Sequence, residues 1–235
     1  MLLEFPDATE WRVLSGSYPY EDLEVNEALF PYTAHPTGSI EKFSAVPEIF
    51  VWTIHLQNRL AQTRWSHMMS MYYFNKGIPG EEWWISPGRK GQSVEYFPHF
   101  TRRDHDIKGL FHYYADVFYY KLFSAWDNLG HLLNIQYNLG LDRATFHKSV
   151  DSLKAVNPAV HSKLRAIRDS ADFKTMKQFR HSITHNEPIG EVGSPIGRRS
   201  KNEVTFGTGA YITSAQIKDN AIKSLDLFVV AIRAL

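Results

Sequence analysis

Arg180 and His185 stand on either side of four residues in the run Gln178-Phe179-Arg180-His181-Ser182-Ile183-Thr184-His185-Asn186-Glu187-Pro188. The arginine is a permanent cation, and the histidine exchanges protons near neutral pH. Such a pair suits work on a phosphodiester, with the guanidinium neutralising phosphate charge and the imidazole moving a proton. His181 and His185 also have the four-residue spacing of two metal ligands on one helix face, and Asp127 or His131 would complete such a set. Against a metal, Arg180 would repel a cation and no Glu follows the first histidine. The bland alternative is a partly exposed helix edge on which Arg and His are incidental.

A helix over about 172–186 must position this run. At about 100° per residue, Phe173, Met176, Phe179 and Ile183 fall into one core stripe. Arg180, Thr184, Lys177, His181 and His185 follow it as a flanking ribbon. Lys163, Arg165, Arg168, Lys174 and Lys177 precede the run or share its helix, and Arg198, Arg199 and Lys201 follow it. This local basic bias can guide a phosphate backbone toward Arg180, or simply form a solvated face.

A second long helix, over about 104–139, has two apolar faces. Phe111, Phe118, Leu122, Ala125, Leu129 and Leu132 make one; Tyr119, Phe123, Trp126, Leu133 and Tyr137 make the other. A helix apolar on both sides is the central member of a bundle. Between the faces run Tyr120, Ser124, Asp127, His131, Asn134 and Asn138, a stripe without Lys or Glu that suits a cleft lining or a set of mutually bonded buried groups. Asp127 is the candidate to orient a histidine or Arg180.

The other elements are a helix from Ser44 and Pro47 to Gly77, a loop over 78–100, and shorter helices over about 144–156 and 158–170. A hairpin pairing 204–206 with 210–212 is expected next, then a last helix capped by Ser214. Residues 1–43 read as an irregular N-terminal arm with one short helix near 20–29. The expected fold is an all-α multi-helix bundle over 44–235, with long central helices and a minor β-hairpin.

Composition narrows the function classes. Twenty-six basic against 25 acidic residues give a net charge of +1, so any nucleic-acid contact must come from a local patch. Without cysteine there is no disulfide framework, thiolate nucleophile or Cys-ligated zinc. The start, Met1 to Asp7, lacks the regions of a signal peptide, and the apolar runs 49–56 and 227–235 are too short to span a bilayer. A cytoplasmic protein without a membrane partner is expected.

The run from Arg180 resembles the signature of the HEPN superfamily (higher eukaryotes and prokaryotes nucleotide-binding domains). That signature is an Arg, often followed by Asn, Asp or His, and then a His after about four to six residues. Arg180, His181 and His185 fit each element. The stretch from Trp126-Asp127-Asn128 to Asn134 looks like the polar element that faces the signature, and the resemblance covers roughly residues 104–235. It implies a metal-independent endoribonuclease without a cofactor, acting as a homodimer with the two signatures in a composite cleft. Arg180 and His185 would then be catalytic, with His181, Asp127, Asn128, His131 and Thr184 supporting them. Lys174, Lys177, Arg198 and Arg199 would contact RNA. Many members act as toxins, which implies an antitoxin partner, or in phage defence; others are inactive or only bind nucleotides. A non-catalytic nucleotide-binding or protein-interaction bundle is therefore the alternative, and a metal-dependent helical-bundle enzyme the third.

Overall fold

Thr101 and Asp104 cap each other reciprocally and start the helix around which the chain is organised, α3 (Arg102–Gln136). Preceding it are α1 (Ala8–Gly16) and the 37-residue α2 (Ser39–Asn75). After it come α4 (Phe146–Val156), α5 (Pro158–Asp169), α6 (Ala171–His185) and α7 (Ser214–Arg233). This computed structural model describes residues 4–31, 39–80, 82–185, 188–200 and 203–235. The architecture is an all-α bundle with two small antiparallel hairpins, β1 (Trp84–Ile85) with β2 (Glu95–Tyr96) and β3 (Ile196–Ser200) with β4 (Glu203–Phe206).

α2 and α3 run antiparallel, as their ring contacts show. Phe74 meets Phe111, His67 meets Phe118 and Trp52 meets His131, so sequence number rises along one helix as it falls along the other. The far side of α3 is taken by the C-terminal helices. Fully buried Trp126 touches Phe146 of α4, Phe173 of α6 and Phe228 of α7, with ring centres 4.5, 5.2 and 4.6 Å away. Both apolar faces expected of this helix are thus in use. The Tyr119 hydroxyl donates to the Ile217 carbonyl at 3.0 Å, and the Asn220 amide donates to the Asp172 carbonyl at 3.3 Å. Together these bonds fix the start of α6 against α3 and α7.

Gly130 lets α4 approach α3 closely. A Cβ there would lie 2.5 Å from the Phe146 nitrogen, and the Ser149 hydroxyl donates to the Gly130 carbonyl at 2.7 Å. Alanine normally stabilises a helix interior relative to glycine. Here Gly130→Ala is expected to destabilise by on the order of 3 kcal/mol, because backbone must move and no flexible side chain can yield. The denaturant midpoint checks this, and a variant as stable as the parent contradicts it.

Five local readings change. α2 begins at Ser39 and continues through Pro47, which forfeits one backbone bond without ending the helix. α1 was not expected in the arm; its signal is the capping box between Asp7 and Glu10. The stretch expected to hold a short helix has two 3-10 turns, Glu21–Leu23 and Glu27–Leu29, and buries Tyr20, Leu23 and Phe30 in the common core. Residues 203–206 pair with 196–200 and not with 210–212, and Thr213 rather than Ser214 caps α7. Among the described residues no helix is long and apolar enough to cross a membrane.

Candidate functional site

α6 buries Phe173, Met176 and Phe179, as its spacing predicts. Arg180 borders that stripe, half-buried, with its guanidinium carbon 5.0 Å from the centre of the Phe123 ring of α3. An aromatic face holds a guanidinium in place without cancelling its charge. Arg180 makes no ion pair among the described residues, so its charge remains available to an anion.

One turn beyond Phe123, Asp127 accepts a hydrogen bond from the Phe146 N–H at 3.3 Å. Burial pushes its carboxyl above the usual range; the Phe146 bond and the charges of Arg180, His131 and His147 partly oppose this. His131, a further turn along, lies flat on Trp52 with ring centres 4.0 Å apart. Burial holds the His131 imidazole below its ordinary pKa, against the pull of Asp127. His147, in the first turn of α4, has a buried Nε2 without a hydrogen-bond partner among the described residues. Its pKa is also lowered, first by burial and then by Lys177 and Arg168. Asp127 thus stands within electrostatic reach of Arg180 and of two imidazoles that favour the neutral state.

His185 looks elsewhere. Five residues of helix carry it about 140° around the axis from Arg180. It is exposed, its ring centre is 4.9 Å from that of exposed His181, and it lines an open groove of ≈ 510 Å³ with Ser182, Gly190, Glu191 and Ala210. Lys108 holds the facing wall of the groove by donating to the Gly190 carbonyl at 2.7 Å. Gly190 has φ +92 and lies over the His112 ring, with no room for a Cβ. Within one chain, then, Asp127 links Arg180 on one side to His131 and His147 on the other, while His185 keeps to His181 and the glycine-rich connection.

The remaining expected residues are dispersed. The Thr184 hydroxyl donates back to the Arg180 carbonyl at 2.8 Å. Asn128 is buried, and Asn134 holds the turn after α3 through both the N–H and the carbonyl of Leu141. Lys174 and Lys177 are exposed on α6. Arg198 and Arg199 belong to β3, but their side chains lie outside the described residues, as do Asn186, Glu187 and Lys201. Among the described residues no group of three or more His, Asp or Glu is placed to hold a metal, so neither Asp127 nor His131 joins His181 and His185.

A family model, the Cthe2314-like HEPN, matches residues 52–226. The chain belongs to the HEPN superfamily. No curated protein and no solved structure matches it. The HEPN region runs from the first half of α2 into α7 and takes in every residue of the Arg180–His185 run, Asp127, His131 and His147.

His147 is the neighbour that sequence reading misses: twenty residues from Asp127, it arrives only because Gly130 admits α4. A second missed group of the HEPN domain is Asp116 on α3. Burial, then the nearby Glu191, pushes its carboxyl up to about 7. An unfolded Asp releases its proton near pH 4, so folding takes up a proton between about pH 4 and 7. The Asp116 contribution is therefore complete below pH 4 and declines as pH rises to about 7. Asp116→Asn is expected to be more stable than the parent at pH 8, by on the order of 2 kcal/mol after allowing for solvent screening. The gap should narrow toward pH 4. Thermal melts at both pH values check this, and a gap that widens on acidification contradicts it.

Proposed function

We propose that this HEPN protein is a metal-independent endoribonuclease whose site is completed by a second copy of the chain. The observation that carries this reading is that Arg180, half-buried and without an ion pair among the described residues, and His185, which lines an open groove, lie on different sides of one helix. A two-fold pairing of α6 edges presents the patch twice and can bring Arg180 of one copy toward the partner's His185. There the guanidinium stabilises charge on the pentacoordinate phosphorus. A histidine accepts the proton of the RNA 2′-hydroxyl as its oxygen bonds to phosphorus. The P–O5′ bond breaks, the leaving oxygen takes its proton from a protonated imidazole of the same site, and the products end in a 2′,3′-cyclic phosphate and a 5′-hydroxyl. His181 supports His185, and Asp127 with His131 and Thr184 steadies Arg180. Lys174, Lys177, Arg198 and Arg199 attract the backbone.

Incubation of purified protein with mixed RNA in EDTA, beside Arg180→Ala, tests the reading together with light scattering. Cleavage by a dimer that the variant loses supports it. A monomer at micromolar concentration that binds nucleotide without cleaving supports the alternative, a non-catalytic nucleotide-binding bundle.

A further inference from the structure

Two short hairpins stand beside the His185 groove and carry rings that the core leaves uncovered. On the first, Trp83 does the packing, with its ring centre 5.1 Å from that of Tyr211 and parallel to that of Tyr96 at 6.1 Å. Trp84 is the cross-strand neighbour of Tyr96, so the two share one face, and each is 37% exposed. On the second hairpin Phe206 is 80% exposed, opposite Ile196. The Tyr96 hydroxyl donates to the Thr208 carbonyl at 3.0 Å and so joins the two hairpins. Two residues on, Ala210 lines the groove of His185. Trp84 and Tyr96 are thereby tied through one short segment to the wall of that groove.

Exposed cations border the first hairpin, Arg89 and Lys90. Of the nearby acids, Glu95 is held by Arg89 at 2.7 Å, Glu82 meets His99 at 2.9 Å, and Glu191 in the groove wall lies within reach of the Lys108 charge. Exposed rings edged by cations fit unpaired nucleobases, whose faces stack on aromatics while the backbone meets positive charge. Aliphatic side chains would serve a protein contact as well; a Trp and Tyr paired across strands and joined through Thr208 to the hairpin of Phe206 favour bases.

Building on the ribonuclease reading, we infer that Trp84, Tyr96 and Phe206 form a stacking platform for the unpaired bases of single-stranded RNA whose backbone enters the His185 groove. The test uses full-length Arg180→Ala protein and an unstructured RNA oligonucleotide, with tryptophan quenching and anisotropy as readouts. Trp84→Ala or Phe206→Ser in that background should weaken binding by about 5- to 150-fold, with circular dichroism unchanged. Trp84→Phe should retain most of the affinity. A DNA oligonucleotide should respond to the same substitutions, because stacking needs no 2′-hydroxyl. Variant-sensitive binding by a protein that never cleaves RNA upholds the platform while the ribonuclease reading falls. Cleavage with affinity and KM unchanged in both variants overturns the platform while that reading stands. Loss of binding only together with loss of the dimer also overturns it and assigns Phe206 to a protein contact.

Discussion

Arg180→Ala is expected to lower RNA cleavage by about 10²–10³-fold, the range for removing one preorganised group that meets charge developing in a transition state. The guanidinium rests on Phe123 at 5.0 Å and makes no ion pair among the described residues, so its charge is held in place. The substitution should leave the fold intact, because Phe173, Met176 and Phe179 bury α6 without it. Losing a partly exposed cation–π contact costs about 1 kcal/mol. Arg180→Lys should recover little, since an ammonium offers a point charge where a planar fork binds two phosphate oxygens. Single-turnover rates on one RNA, with melting temperatures alongside, check the result. A rate within a factor of about three of the parent would contradict it.

His185→Ala is expected to cost about 10²–10⁴-fold in rate, the usual worth of a positioned proton-transfer group. His185 is exposed in the last turn of α6 with the His181 ring beside it, so its loss leaves no buried cavity. Because Arg180 and His185 look about 140° apart around one helix, a composite site adds a further expectation. Mixing Arg180→Ala with His185→Ala protein should restore part of the activity that neither variant has alone. Restoration that fails although subunits exchange, as a labelled copy would show, contradicts a site shared between copies.

What the sequence made legible was periodicity. On α3, Phe111, Phe118, Leu122, Leu129 and Leu132 are fully buried, and so are Tyr119, Trp126 and Leu133 on the second face. Phe123 belongs to the same pattern yet is only partly covered, because Arg180 lies over it in place of an apolar neighbour. The Arg/His run was legible because its chemistry is local to one helix. Two titratable groups elsewhere in the bundle were not. His147 depends on the close approach at Gly130, and Asp116 meets Glu191 across 75 residues of chain. The hairpin misreading has a physical cause as well. Gly207-Thr208-Gly209 looks like a turn, but the pairing goes back to 196–200, and Gly209 instead follows Thr208, which receives Tyr96.

In the proposed reaction the RNA's own 2′-hydroxyl is the nucleophile at a site built from Arg180 and His185. A DNA oligonucleotide with one internal ribonucleotide, incubated with the protein in EDTA, tests it most directly. Cleavage should occur only on the 3′ side of that ribonucleotide, leave a 2′,3′-cyclic phosphate, and vanish in Arg180→Ala and His185→Ala. Cleavage of the all-DNA strand, or cleavage that persists in both variants, would contradict the account.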